Sequence, residues 1–572
     1  MTNGHKENDP MALRVGEILI EKGHLTPEQL ELAIEEQHKT KKMLGEILIS
    51  RGFISENNFL RCIAQQQGIS FIELKDMLRI DDHVIKTVPA KFIWHYKMMP
   101  INIQGNVLTV ALADPFDVWP IDDLETHLGL RVEKVLAVSA DISEAARKYY
   151  GVAADTVEKL MSQQAGTGPR QDLERTEKIE DLERMSADAS VIKLVNQVYQ
   201  QAINDRATDI HIEMFREELS LRYRVDGILY EVSAPETIKH LYPAIVSRIK
   251  VMSGLDIVER RRPQDGRAKV RIGPKEYELR VSVMPTIYGE NIVIRILPAT
   301  MLFDIASLGM QEKDLLVLEQ LIERPHGIIF VTGPTGSGKT TTLYSCLNKL
   351  NTAKRKIVTI EDPVEYELKG ITQTQVNPKI DLTFSVILRS MLRHDPDIMM
   401  VGEVRDRETA DITIQTALTG HLVFSTLHTN DAASGITRLM DIGLEPYLIA
   451  SSVEVFIAQR LIRLICNNCK ETYTIPAEIA RHFLGSESSV KQQACRGKGC
   501  KTCNNTGYMG RTGIYEILLL DDQIKTLILQ KASSTMIKEK AVEAGMRTLK
   551  QDGWAKIQAG LTTPEEVLRV VQ

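Results

Sequence analysis

The chain has 572 residues, with 43% apolar and 26% charged side chains and a formal net charge of −6. That length exceeds what one hydrophobic core organises, so three to four domains are expected. The acidic balance argues against bulk attraction to nucleic acid, and no apolar run is long enough to span a bilayer.

The polar start, MTNGHKENDP, lacks the apolar centre of a secretory signal. The chain is therefore expected in the cytoplasm, with any membrane contact peripheral. Residues 14–37, RVGEILIEKGHLTPEQLELAIEEQ, recur at 43–66 as MLGEILISRGFISENNFLRCIAQQ, at an offset of 29. Gly16 matches Gly45, Gly23 matches Gly52, and Gln37 matches Gln66. Each copy predicts a helix, a glycine turn and a second helix. Thr26, Pro27 and Gln29 form a capping-box start for the second helix, and Ser55 takes the same place in copy two.

Residues 70–150 mix short apolar runs with turns and predict a compact α/β unit, with a strand in NVLTVALADP and a helix in DISEAARKYYG. Residues 151–188 are rich in charged and small polar side chains and predict a mobile linker. From 189 an amphipathic helix leads into alternating segments: DIHIEMF, LSLRYRVDGILYEV, AKVRIG, EYELRVSVMPT and ENIVIRILP. These predict antiparallel strands. After 303 buried strands alternate with helices, in GIIFVTG, KIVTIED, DIMMVGE and HLVFSTLH. The tail from 520 to 572 is helical in pattern.

The run 333–340, GPTGSGKT, fits G-x-x-x-x-G-K-[ST] and sits between an apolar strand and a helix. Its glycines let backbone N–H groups wrap phosphates at a helix N-terminus. The expected nucleotide contacts are Gly333, Pro334, Thr335, Gly336, Ser337, Gly338, Lys339, Thr340 and Thr341. Lys339 would neutralise the outer phosphates, and the Thr340 hydroxyl would reach Mg²⁺. Hydrolysis also needs acids that hold metal and aim a water. Glu403 ends one buried strand, at a Walker-B-type position. Glu361, Asp362 and Glu365 follow another. His421 and His428 bracket a strand as candidate phosphate sensors. Arg389 and Arg393 fall four apart on one predicted helix, while Arg280 and Arg295 lie on the upstream strands; arginine meets the charge of phosphoryl transfer best.

Of seven cysteines, five fall between 466 and 503. Cys466-x2-Cys469 and Cys500-x2-Cys503 supply two knuckles, enough for one structural Zn²⁺ held by four thiolates. Cys495 is an alternative ligand to Cys500 by spacing.

Together GPTGSGKTTTLY, TIEDPVEYELKGITQTQVNPK, RHDPDIMMVGEVRD and LTGHLVFSTLHTNDA resemble the type II secretion and type IV pilus assembly ATPases (the GspE/PulE/PilB family). ATDIHIE, RYRVDG and RRPQDGR strengthen the resemblance. It implies an α/β chain: a PAS-like α+β domain (189–302) before a RecA-like P-loop ATPase domain (303–572). A mixed helical and α/β N-terminal domain (1–150) precedes both, and a zinc module (466–503) is inserted in the last. It further implies a homohexamer that hydrolyses ATP with Mg²⁺ at the cytoplasmic face of the inner membrane. Its expected partners are a platform protein and the cytoplasmic tail of an assembly protein. By position, Glu365 becomes the water-activating base and Glu403 the Walker-B acid. Lys339 remains the P-loop lysine. Arg280, Arg295, Arg389, Arg393 and Arg405 become phosphate sensors, and His421 and His428 a His box. Assembly members carry the zinc module and match at Cys500 and Cys503; shorter retraction ATPases lack it.

The N-terminal repeat resembles the MshEN domain, which binds cyclic di-GMP. The resemblance points to Arg14, Gly16 and Gln37 in copy one and Gly45 and Gln66 in copy two. Met43 stands where copy two would have arginine, and Val15 where leucine is usual. A docking surface for an inner-membrane protein's tail is the other reading of the repeat. Two further functions share the RecA-like class: a nucleic-acid translocase, disfavoured by the charge, and a nucleotide-gated scaffold.

Overall fold

The computed structural model describes residues 10–40, 43–74, 80–117, 119–151, 153–154, 156–157, 189–216, 218–298, 303–484 and 492–571. Side chains before Val15, together with His38 and Glu236, are not described. The expected linker, 151–188, therefore lies almost wholly outside the described residues. The chain forms two compact units, Met1–Leu297 and Pro298–Gln572.

The first unit opens on helices Pro10–Glu21, Pro27–Thr40, Leu44–Ser50 and Glu56–Gln67. Gly23 and Gly52 both turn the chain at φ +71°, a conformation that glycine adopts without strain. The expected caps form. Thr26 and Gln29 exchange backbone-to-side-chain hydrogen bonds of 3.0 and 3.3 Å, and the Ser55 hydroxyl accepts the Asn58 N–H. Gly16 and Gly45 share a different task. A Cβ on Gly16 would collide with Leu30, and one on Gly45 with the Phe59 ring, so each glycine lets two helices cross closely. Leu19, Leu30, Ile47, Leu48 and Ile63 form the shared core.

Next come β1 (Met98–Gln104), β2 (Val107–Leu112) and β3 (Arg131–Leu136). β1 and β2 pair antiparallel; β2 and β3 pair parallel, joined by the crossover helix Trp119–Leu128. Helix Ser139–Tyr150 follows. The remainder of the unit is helix Ala189–Asn204, then β4 (Ala207–Met214), β5 (Leu219–Val225), β6 (Ile228–Glu231), β7 (Gln264–Ile272), β8 (Lys275–Thr286) and β9 (Gly289–Pro298). These strands form one sheet in the order β6-β5-β4-β9-β8-β7. Ile210, Ile212, Leu279, Val281 and Ile294 line its buried face, against Leu194, Val195 and Tyr199 of the first helix and Ile245 and Ile249 of helix Tyr242–Met252.

The second unit is built on β10 (Gly327–Thr332), β11 (Ile357–Glu361), β12 (Thr372–Gln375), β13 (Ile398–Val401), β14 (Leu422–Leu427), β15 (Val453–Ile465) and β18 (Tyr508–Leu519). The sheet order is β12-β11-β13-β14-β10-β15-β18, parallel throughout except for antiparallel β18. Every residue of β10, β11, β13 and β14 is buried. That is the signature of parallel strands covered on both faces, and it is why they read as unbroken apolar runs. Separate apolar clusters fill the two faces, one around Phe330, Val423 and Phe456, the other around Ile329, Leu347 and Phe424. Between β15 and β18 the chain makes a small excursion holding β16 (Lys470–Thr474) and β17 (Gln493–Gly497), paired antiparallel. Four helices close the chain: Asp522–Leu529, Ser534–Glu543, Leu549–Gln558 and Pro564–Val571. No helix among the described residues is long and apolar enough to cross a membrane.

Candidate nucleotide and metal sites

Because β10, β11, β13 and β14 run parallel, their carboxyl ends share one edge of the sheet, where ligands of open α/β sheets bind. The loop after β10 is the glycine-rich run. Gly336 and Gly338 take φ of +79° and +91°, and Gly338 caps helix Lys339–Leu350. Gly333 is constrained differently: its missing Cβ leaves room for the Ser337 hydroxyl, the Gln459 carbonyl and the Arg460 guanidinium. The Lys339 ammonium folds back on its own loop, donating to the carbonyls of Gly333 (2.7 Å) and Pro334 (3.1 Å). Burial pulls its pKa down to about 8, with Glu403 opposing the shift and Arg460 adding to it. An anion entering the loop would raise it again. Thr340, the expected Mg²⁺ ligand, is exposed on the helix's first turn, and Thr341 is half-buried beside it.

Glu403 follows β13 with its carboxylate nearly buried. Arg405 pairs with one oxygen at 2.5 Å, and His428 Nε2 lies 3.4 Å from the other. Burial, then the Lys339 charge, lower the His428 pKa, so its imidazole is neutral at pH 7. Hydrogen bonding to Glu403 holds the Arg405 pKa above its usual value. Lys339, Glu403, Arg405 and His428 thus form one cluster. Glu365 is half-buried on the turn after β11, and its N–H donates to the Tyr344 hydroxyl at 3.4 Å.

The other expected residues are placed elsewhere. His421 precedes β14, beside Gly327 at the opposite edge, and its Nδ1 meets the Thr416 carbonyl at 2.9 Å. Seven residue steps along the strand separate it from His428, about 23 Å at 3.3 Å per residue. Helix Phe384–Met391 ends before Arg393, which lies in the following turn and donates to the Arg389 carbonyl. Arg389 pairs with Glu408 at the surface. Arg280 and Arg295 belong to the first unit, where they line a cavity of about 350 Å³ on the sheet with Asp209, Asp265 and Arg267. Arg295 is tied to Asp209 at 3.1 Å.

Sequence reasoning missed three residues here. Arg267, the last residue of the RRPQDGR run, sits directly opposite Arg280 in the β7–β8 register. Gln459 and Arg460 come from β15, which adjoins β10 only in the folded sheet. The Gln459 amide oxygen accepts the Thr342 hydroxyl (2.7 Å), while Arg460 holds the Asn430 carbonyl (2.7 Å) on the loop after His428.

The sulfurs of Cys466, Cys469, Cys500 and Cys503 all lie within 4.8 Å of one another. Their contacts are 3.8 Å (Cys466–Cys500), 3.9 Å (Cys469–Cys503) and 3.7 Å (Cys500–Cys503). A tetrahedron of thiolates around Zn²⁺ has sulfur–sulfur edges of about 3.8 Å, so the four residues fit that ion. Backbone N–H groups of Cys500 and Gly507 point at the Cys503 sulfur, as a thiolate requires. Cys495 is not in the cluster; it sits in β17 opposite Thr472.

In the N-terminal helices Gly16 and Gly45 are occupied by the helix crossings, Gln37 and Gln66 are half-buried near helix ends, and the Arg14 side chain lies outside the described residues.

The sequence matches the family described as Type II/IV secretion system protein over residues 184–569, and the MshEN domain over 67–156. The second match begins where the helical repeat ends and covers the β1–β3 region. The chain is 41% identical over 567 residues to the type IV pilus assembly ATPase PilB of Myxococcus xanthus, spanning 98% of this chain and 99% of that one. It is 50% identical over 395 residues to the type II secretion system ATPase E of Vibrio cholerae, spanning 69% and 78%. The X-ray structure of the Yersinia pseudotuberculosis ATPase DotB superposes with a TM-score of 0.50 at 20% identity, covering 70% of this chain and 97% of that one; this likeness is one of fold.

Proposed function

The chain belongs to the type II/IV secretion system protein family and is an ATPase of it, and from that premise we propose that it works as a hexameric ring. The ring spends ATP at the cytoplasmic face of the inner membrane to extend a type IV pilus or a type II secretion pseudopilus. The observation that carries this reading is the convergence of the P-loop lysine, Glu403, Arg405 and His428 at one sheet edge. The P-loop N–H groups bind the phosphates, and Lys339 exchanges its loop carbonyls for their outer oxygens. Thr340 and Glu403 are the residues that would hold Mg²⁺, which would offset phosphate charge. Glu365 orients the attacking water, and arginine is the side chain suited to meet the charge that develops, the role proposed for Arg280 and Arg295. A Zn²⁺ held by Cys466, Cys469, Cys500 and Cys503 would keep no open position and would be structural. Partners are a membrane platform protein and the cytoplasmic tail of an assembly protein.

The N-terminal domain is proposed to bind cyclic di-GMP; the MshEN match over 67–156 and the repeated Gln37 and Gln66 before it support this. Titrating the full chain with cyclic di-GMP tests it: heat that disappears in Gln37→Ala/Gln66→Ala is expected, and no heat at high micromolar ligand refutes it.

For the motor, Glu365→Gln should abolish ATP turnover while ATP still binds, and Lys339→Ala should abolish both. Undiminished turnover in Glu365→Gln refutes the assignment of the base.

A further inference from the structure

Glu361 ends β11 with a carboxylate that the chemistry above does not use. It is only 4% exposed. Three donors engage it: the Thr359 hydroxyl (2.6 Å) and the Gln373 amide (3.1 Å) reach one oxygen, and the Tyr344 hydroxyl reaches the other. A buried acid so engaged is closed to water and metal, so its role lies in what it holds.

Its partners lead to the active edge. Tyr344 is five residues beyond Lys339 on the same helix, and its oxygen accepts the N–H of Glu365. Gln373, on β12, donates to the Tyr366 carbonyl (3.0 Å) and accepts the Leu368 N–H (2.7 Å). Three backbone pegs of the turn 365–368 therefore end on Tyr344 or Gln373. Glu361 orients both. One buried carboxylate thus ties the P-loop helix to the turn that presents the water-orienting glutamate.

We propose that Glu361 is a positioning residue for ATP hydrolysis: through Tyr344 and Gln373 it keeps Glu365 in register with the P-loop helix. The proposal rests on the reading of Glu365 as the base. A small displacement of an orienting group lowers the chemical step far more than it lowers binding. A helix that shifts when phosphate fills its loop would pass that shift to Glu365 through the Tyr344 hydroxyl.

Steady-state kinetics on the full-length protein test this. Glu361→Gln keeps the side chain's size but sets an amide N–H₂ against one of its donors. Tyr344→Phe removes a single hydroxyl from a ring that stays packed edge-on against Phe303. Each is expected to lower kcat by about ten- to a hundredfold while KM for ATP stays within about twofold. Combining Glu361→Gln with Tyr344→Phe should cost little more than the larger single loss, because residues acting as a unit are non-additive. Merely structural damage would give independent losses in the double variant, and that result overturns the proposal. So does an unchanged kcat in both single variants, or a raised KM with kcat intact. Normal turnover in Glu361→Gln beside an inactive Glu365→Gln overturns only the positioning role. Full turnover in Glu365→Gln alone overturns the base reading, and this role with it.

Discussion

His421 and His428 flank the two ends of strand β14, and only His428 stands beside Glu403. A strand of six residues cannot deliver both imidazoles to one phosphate within a subunit. His428→Ala is expected to lower turnover by about ten- to a hundredfold, through loss of a group that orients Glu403. His421→Ala should leave the rate nearly unchanged and cost about 1 kcal/mol of stability, through its hydrogen bonds to the Thr416 carbonyl and Thr419 hydroxyl. Turnover assays and thermal melts on the two variants separate these effects.

Lys339 makes ATP binding pH-dependent. In the free site its pKa is pulled down to about 8, mainly by burial. Bound phosphate favours the ammonium and raises that pKa again. Above about pH 8, binding must therefore take up a proton, and affinity should fall as pH rises from there. Below pH 7 this group contributes no slope. Calorimetry at pH 9 in two buffers of different ionisation enthalpy measures the uptake; equal heats would refute it.

The cysteine cluster predicts one Zn²⁺ per chain. Cys466→Ser should lose the metal, and so should a strong chelator, with a lowered melting temperature. Cys495→Ser should keep the full equivalent, because its sulfur lies in the β17 strand. Metal analysis of the two variants is the check.

Arg267 should matter as much as Arg280. The two are cross-strand partners and line the same cavity with Arg295. Arg267→Ala is expected to reduce ATP turnover to the same degree as Arg280→Ala. Wild-type kinetics in Arg267→Ala would remove it from the reaction.

Gly45 is a packing residue whatever else the repeat binds. Gly45→Ala drives a methyl into the Phe59 ring and should cost about 1–3 kcal/mol of stability. Gly45→Ala/Phe59→Leu, which replaces the ring with a smaller side chain, should recover part of it in a melt.

Much of this was legible in the sequence, and for physical reasons. The strands β10, β11, β13 and β14 announce themselves because burial on both faces demands unbroken apolar runs. The two cysteine pairs announce the metal because tetrahedral thiolate ligation constrains spacing. The segment 219–232 reads as one stretch, yet Asp226 and Gly227 turn it at φ +49° and +89° into the hairpin β5–β6; the Asp-Gly pair was the signal. Pro396, shortly after Arg393, likewise marks a helix ending early. What stayed hidden depends on pairing between distant segments. Gln459 and Arg460 reach the P-loop only because β15 lies beside β10 in the folded sheet. Glu361 and Glu365 look alike in TIEDPVE, and only the surrounding donors distinguish the enclosed acid from the half-buried one.

Ile465 and Tyr508 are Cα partners across β15 and β18, so the chain departs for the cysteine-bearing excursion and returns at adjacent points of the sheet. Each doubling of such an excursion's length would add only about 0.6 kcal/mol to the cost of closing it. The excursion is thus attached at the far end of β15, beyond Gln459 and Arg460, the residues of that strand that meet the P-loop.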